Sequence, residues 1–164
     1  MEEIDKSKLE QKEKLPISIE TLKTDSLIDL IYKGNKLPED NRFLTTEEGG
    51  VFKYFELKDI QNHKEDRFFS IIKVDEKIVG LSELLKDPFN NRNLWIQFLS
   101  IDPKEQGKGY ASKLAKEIFD FAKEKGYSLE ASRYTEQGML KMRSVFEKLS
   151  GEYPEVVFIN KEKL

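Results

Sequence analysis

Apolar positions along the chain switch between a two-residue spacing and a spacing of about three to four residues, and the switches mark out its elements. Residues 1–16, mostly Lys, Glu, Gln and Asp up to the closing Pro16, read as a flexible or marginally helical arm. Ile17, Ile19 and Leu22 begin a short alternating strand, after which Asp25 or Ser26 is placed to cap a short helix through Leu30 and Ile31. Gly34 and Pro38 punctuate a loop. Thr45 and Glu48 fit a capping box, and Val51, Phe52, Phe55 and Ile60 follow at loosely helical spacing, with Gly49 and Gly50 weakening the first turn.

The strongest extended signal comes next. Arg67–Val74 (RFFSIIKV) and Ile78–Leu85 (IVGLSELL) flank Asp75, Glu76 and Lys77 and predict a hairpin. Asp87, Pro88, Asn90 and Asn91 form a second loop, and Leu94–Ile101 (LWIQFLSI) is a third strand whose near-continuous apolar character expects cover on both faces. Gly109–Lys125 is the best helix, lined by Ala111, Ala115, Ile118 and Ala122, broadened by Leu114, Phe119 and Phe121, and stopped by Gly126. Tyr127–Ala131 returns as a strand. A helix from about Gln137 to Leu149 carries Met139, Met142, Phe146 and Leu149 on one side and ends at Gly151 and Pro154, and Val156–Ile159 is a last strand. Strands and helices alternate after residue 94, which predicts mixed packing within one domain over residues 17–164.

Composition narrows the chemistry. A chain of 164 residues can bury a sizeable core. It has 0 Cys and 1 His, so a thiolate nucleophile, a disulfide framework and a thiolate zinc site are excluded. A Ser-His-Asp triad would have only His63, which sits in a polar run. With 28 basic and 31 acidic side chains the net charge is −3, which argues against a nucleic-acid partner. No apolar run approaches the roughly 20 residues of a membrane span, and the first residues lack a signal-peptide core, so a cytoplasmic protein without a membrane partner is expected.

The informative stretch runs from Leu99 to Ala111 (LSIDPKEQGKGYA). An apolar strand enters a loop with glycines at 107 and 109 and leaves into an amphipathic helix. Glycines let a backbone turn tightly and approach a ligand, and a helix's first turn offers unsatisfied N–H groups to an anion. Lys104, Lys108 and Lys113 add positive charge nearby. The pattern is neither a nucleotide P-loop, since Gly-Lys-Ser/Thr is absent, nor GxGxxG, whose third glycine falls on Ser112.

Gln106-Gly107-Lys108-Gly109-Tyr110-Ala111 resembles the Gln/Arg-x-x-Gly-x-Gly/Ala motif of the GNAT-type N-acetyltransferases, and its context over residues 67–151 is similar to that family as well. The resemblance implies an α+β fold with a central mixed, mostly antiparallel, splayed sheet flanked by helices. It implies acetyl-CoA as cofactor, with the diphosphate of coenzyme A held by the backbone of Gln106, Gly107, Lys108, Gly109, Tyr110 and Ala111. The pantetheine arm would lie along Leu99, Ser100 and Ile101. The implied reaction is direct attack of an amine, of a small molecule or peptide, on the thioester. No metal is implied.

Two departures stand beside the resemblance. The positions where the family carries an Asn and a thiolate-protonating Tyr are Met139 and Phe146, and Phe cannot donate a proton. Tyr134, Tyr110 and Tyr153 are replacements, Tyr134 first because it lies just past a strand end. After Gly151 the 13 remaining residues offer one good strand, Glu155–Asn160, where the family often has two, which leaves room for a homodimer through that strand. For the base, Glu83 ranks first and Glu130 second, while Gln97 is suited to positioning a water or the amine. A non-catalytic acyl-CoA-binding regulator and a protein-interaction domain are the competing readings.

Overall fold

In the computed structural model the described residues are 15–32, 43, 64–131 and 137–160. The N-terminal arm through residue 14, the helix expected over 45–60, His63 and Tyr134 lie outside them, and of Met139 only the helical backbone is described. The described elements are β1 (Ile17–Lys23), α1 (Thr24–Ile31), β2 (Arg67–Val74), β3 (Lys77–Asp87), β4 (Asn90–Ile101), α2 (Tyr110–Lys125), β5 (Ser128–Ala131), α3 (Gln137–Glu152) and β6 (Phe158–Asn160). The strands make one sheet in chain order. β1 to β4 pair antiparallel, while β4–β5 and β5–β6 pair parallel, so the expected mixed, mostly antiparallel sheet is present.

Several boundaries differ from the sequence reading, each for a local reason. α1 starts at Thr24, with Lys23 in the cap position and no side-chain cap, so neither Asp25 nor Ser26 plays that part. The buried Thr24 hydroxyl instead donates to the Lys64 carbonyl at 2.9 Å and ties α1 to the start of β2. The β2–β3 turn has two residues, Asp75 and Glu76, both at positive φ, as the right-handed twist of a tight hairpin demands. Lys77 belongs to β3. Asp87 pairs with Asn90 across a turn at Pro88 and Phe89, so Asn90 and Asn91 are strand residues rather than loop. α3 runs through Gly151 to Glu152, one turn further than expected.

The sheet carries apolar side chains on both faces. One face packs α2 and α3, with Ile72, Leu84, Leu94, Ile96 and Leu99 against Leu114, Ile118, Phe119 and Phe146. The other packs α1, with Leu27 and Ile31 against Phe69, Ile71 and Leu81. Wholly buried Leu114, Ile118 and Phe119 contribute about 1.5–3 kcal/mol apiece. Lys123 and Lys125 in the last turn of α2 add about 0.3–1 kcal/mol each through the helix dipole. Burial, not the helix ends, therefore holds α2. Among the described residues no helix is long and apolar enough to cross a membrane.

α2 comes close to the sheet at Gly80. A β-carbon there would lie 2.5 Å from Ile72 Cγ2 and 2.7 Å from Ile101 Cδ1, with Leu114 of α2 at 3.5 Å. Gly80→Val should destabilise the fold by about 1–3 kcal/mol through overpacking. Gly151→Ala, where the added carbon meets nothing within 4 Å, should be neutral or mildly stabilising because it removes a helical glycine. Urea unfolding midpoints of the two variants check the contrast.

Candidate active site

β4 and β5 separate. They pair only at Asn93↔Ser128, Leu94↔Leu129 and Trp95↔Glu130. From Ile96 to Ile101 the β5-facing edge of β4 has no strand partner among the described residues. The paired end is locked by a polar cluster. Asn93 is buried and its amide donates to Glu130 Oε1 at 3.2 Å and Asp87 Oδ2 at 3.3 Å, while its carbonyl accepts from Ser128 Oγ at 2.8 Å. Glu130 is thus engaged at the closed end of the gap.

At the open end lies a cavity of about 370 Å³. Leu99, Ser100 and Ile101 of β4 form one side, and Gln106, Gly107, Gly109, Tyr110 and Ala111 form the floor. The residues expected to serve the cofactor are therefore brought together, with one exception in kind. The Lys108 side chain does not line the cavity; its ammonium donates to Glu105 at 2.6 Å and is half exposed. Only its backbone is available for the role expected of it. Four further residues line the cavity that sequence reasoning missed: Glu105, Ser112, Lys141 and Met142. Met142 was legible as a periodic apolar position of α3, but nothing in the sequence says that α3 crosses this opening.

The loop leaves its backbone donors without side-chain cover. Asp102 accepts from Lys104 N at 3.1 Å and closes a single 3-10 turn, and Gln106 Nε2 reaches back to the Ile101 carbonyl at 3.4 Å. Gly107 and Gly109 have φ of +85° and +82°, a region that L side chains rarely adopt. Gly109 is the N-cap of α2 and has no side chain with which to satisfy the first-turn N–H groups. A β-carbon on either glycine would meet nothing within 4 Å, so the chain surface there is open. Bare first-turn donors, an open glycine floor and an unpaired strand edge fit the diphosphate and amide-bearing arm of coenzyme A.

Glu83 sits on the other face of the sheet. It is directly opposite Phe69 on β2 and Phe98 on β4, both of which belong to the α1 side. Between Glu83↔Phe98 and Leu84↔Ile96 the register slips, leaving Gln97 as the extra residue of a β-bulge, which re-aims side chains locally. Glu83 is buried and accepts from Arg67 Nη1 at 2.6 Å. Burial pushes its carboxyl above the usual carboxylate range, and the Arg67 guanidinium opposes that rise in part. Glu83 and Gln97 thus lie at one strand irregularity, whereas Glu130 is held elsewhere by Asn93. Neither Glu83 nor Gln97 lines the cavity itself.

Of the tyrosines, Tyr110 lines the cavity and Tyr153 does not. The Tyr153 hydroxyl donates to Asp120 and its ring packs on Phe119. Phe146 is wholly buried against Phe158, so its position is one of core packing.

The profile of the acetyltransferase (GNAT) family matches residues 35–151. Among solved structures, an IAA acetyltransferase from Bacillus cereus is 17% identical, with 82% of this chain and 75% of that chain covered and a TM-score of 0.51. An aminoglycoside acetyltransferase from an uncultured soil metagenomic sample, in complex with sisomicin, is 20% identical over 79% of this chain and 86% of its own, also with a TM-score of 0.51. Both share the fold. No match was found among curated proteins.

Gly107→Ala and Gly109→Ala should each lose about 1–2 kcal/mol of stability, the penalty of a left-handed L residue, although neither added carbon meets a neighbour within 4 Å. Chemical denaturation of the two variants measures this.

Proposed function

We propose that this chain, which belongs to the acetyltransferase (GNAT) family, moves an acetyl group from acetyl-CoA directly to a primary amine of a small molecule or peptide. The family uses acetyl-CoA, which when bound supplies an activated acetyl thioester. The observation that carries the reading is the conjunction of the β4–β5 gap with the glycine floor at the head of α2. The backbone N–H groups of residues 106–111 hold the diphosphate at the dipole-positive end of α2. The edge at Leu99, Ser100 and Ile101, which has no β5 partner among the described residues, aligns the amide-bearing arm.

The amine must lose a proton as it attacks. Glu83 takes that proton, directly or through a water held by Gln97 at the bulge. This role requires the amine to meet Glu83, on the α1 face, through the gap between β4 and β5. Glu130 acts as a positioning residue, keeping the closed end of the gap in register through Asn93. Tyr134 donates to the departing thiolate. A buried carboxylate accepts a proton more readily than an exposed one, because burial raises its pKa.

One observation favours a second reading, an acyl-CoA-binding protein without turnover. The side chain at the family's usual tyrosine position is Phe146, sealed in the core. Thermal shift with coenzyme A and thiol release with an amine panel separate the two. Stabilisation with release supports the transferase, stabilisation without release supports the binder, and neither effect removes both.

Glu83 must be ionised to act, so the rate should fall as pH drops through its raised pKa. Glu83→Gln should lower kcat by about 10²–10⁴-fold and abolish that acidic limb. Arg67→Gln removes the group that lowers the pKa, so the limb should move to higher pH. Tyr134→Phe should lower kcat and leave the acidic limb in place. The pH profile of kcat/KM for the three variants checks these outcomes.

A further inference from the structure

A second cavity, of about 640 Å³, shares no residue with the first. It lies at the opposite end of α2. Tyr110 lines one cavity and Lys125 the other, and a helix of that length separates them by about 24 Å. Its volume is in the range of small-molecule sites, about 300–1,000 Å³.

Its wall is cationic in a chain whose net charge is −3. Lys23, Lys64, Arg67, Lys86 and Lys125 face two carboxylates, Asp25 and Glu65. Part of this charge is internally matched. Lys64 donates to Asp25 at 3.3 Å, and Arg67 belongs to Glu83. Lys23, Lys86 and Lys125 remain for a ligand, in excess over the one remaining carboxylate, Glu65. Lys23 and Lys86 form no ion pair with a described residue, and Lys125 has only its exposed sequence neighbour Glu124 at 3.9 Å.

Its other wall is aromatic. Phe68 and Phe121 lie with ring centroids 5.1 Å apart, and Tyr127 is 5.9 Å from Phe68 and 6.0 Å from Phe121. The Lys86 ammonium sits 5.6 Å above the Phe68 ring. This fixes one cation over the apolar surface rather than leaving it to swing in solvent. An inorganic anion would use the lysines and leave the rings idle. A neutral apolar ligand would leave three ammonium groups facing it.

We propose that this cavity binds a small aromatic acid. Its carboxylate or phosphate lies among Lys23, Lys86 and Lys125, and its ring lies against Phe68, Phe121 and Tyr127. Neither the transfer reaction nor the first cavity requires such a site.

The test is titration of the full chain with phenyl phosphate, benzoate and inorganic phosphate, followed by calorimetry. It is run with and without saturating coenzyme A, so that binding at the glycine loop is recognised by its loss on competition. Phenyl phosphate or benzoate should bind more tightly than inorganic phosphate and keep its affinity in coenzyme A. Lys86→Gln/Lys125→Gln should weaken that ligand at least about tenfold, the worth of one charge-assisted contact. Lys23→Gln supplies an independent single variant, and thermal unfolding verifies that each variant is folded. Affinity unaltered in these folded variants, equal affinity for inorganic phosphate, competition by coenzyme A, or no binding would each overturn the proposal.

Discussion

The seat of α2 on the sheet is the constraint on which the rest of the structure depends. One side of this helix supplies Leu114, Ile118 and Phe119 to the core, all wholly buried. Gly80 leaves room for Ile72, Ile101 and Leu114 to meet at its backbone. Because α2 is held by side-chain burial along its length, its N-terminal turn need not be capped by a side chain. Gly109 stands there instead, and the first-turn donors face an open surface. An isolated helix would fray at such an end. Here the core absorbs that liability and leaves the uncapped end with its donors open.

The sheet carries a second division of labour along β4. Leu94 and Trp95 are paired on both sides, and buried Asn93 beside them joins buried Glu130 to half-buried Asp87 and Ser128 in one polar cluster. Among the described residues the second half of β4 has a strand partner only in β3. A parallel pair of three residues would be a weak ladder by itself, and the side-chain cluster compensates for its shortness. The bulge at Gln97 falls between the halves, two residues past the last β5 contact. The strand therefore changes its twist where it leaves its partner.

Much of this was legible in the chain. Runs rich in Phe, Ile and Val foretold β2 and β3, a near-continuous apolar run foretold β4, and the order of elements after residue 94 foretold the mixed packing. The two glycines before an amphipathic helix foretold the tight turn at the cavity floor, since positive φ at both is a local property of the backbone. What escaped the sequence depends on distant partners. Thr24 looks like an ordinary strand-end residue until Lys64 offers it a carbonyl. Gly80 looks like a weak point in a strand until α2 comes close to it. Gly151 signals a stop, yet tertiary packing of Leu149 carries α3 past it. The bulge at Gln97 exists only relative to β3, and Lys141 reaches the cavity only because α3 crosses it.

The gap between β4 and β5 is also a sheet edge turned inward. Edges on the outside of a protein invite other chains to add to them. This one opens between β4 and the α3 residues Lys141 and Met142, with the glycine loop beneath. A polypeptide strand adding there would need about 4.8 Å of lateral spacing and clearance for side chains above and below. Under the proposed function, the same backbone groups that would invite strand addition on an outer edge are taken up by the slender amide-bearing arm of coenzyme A.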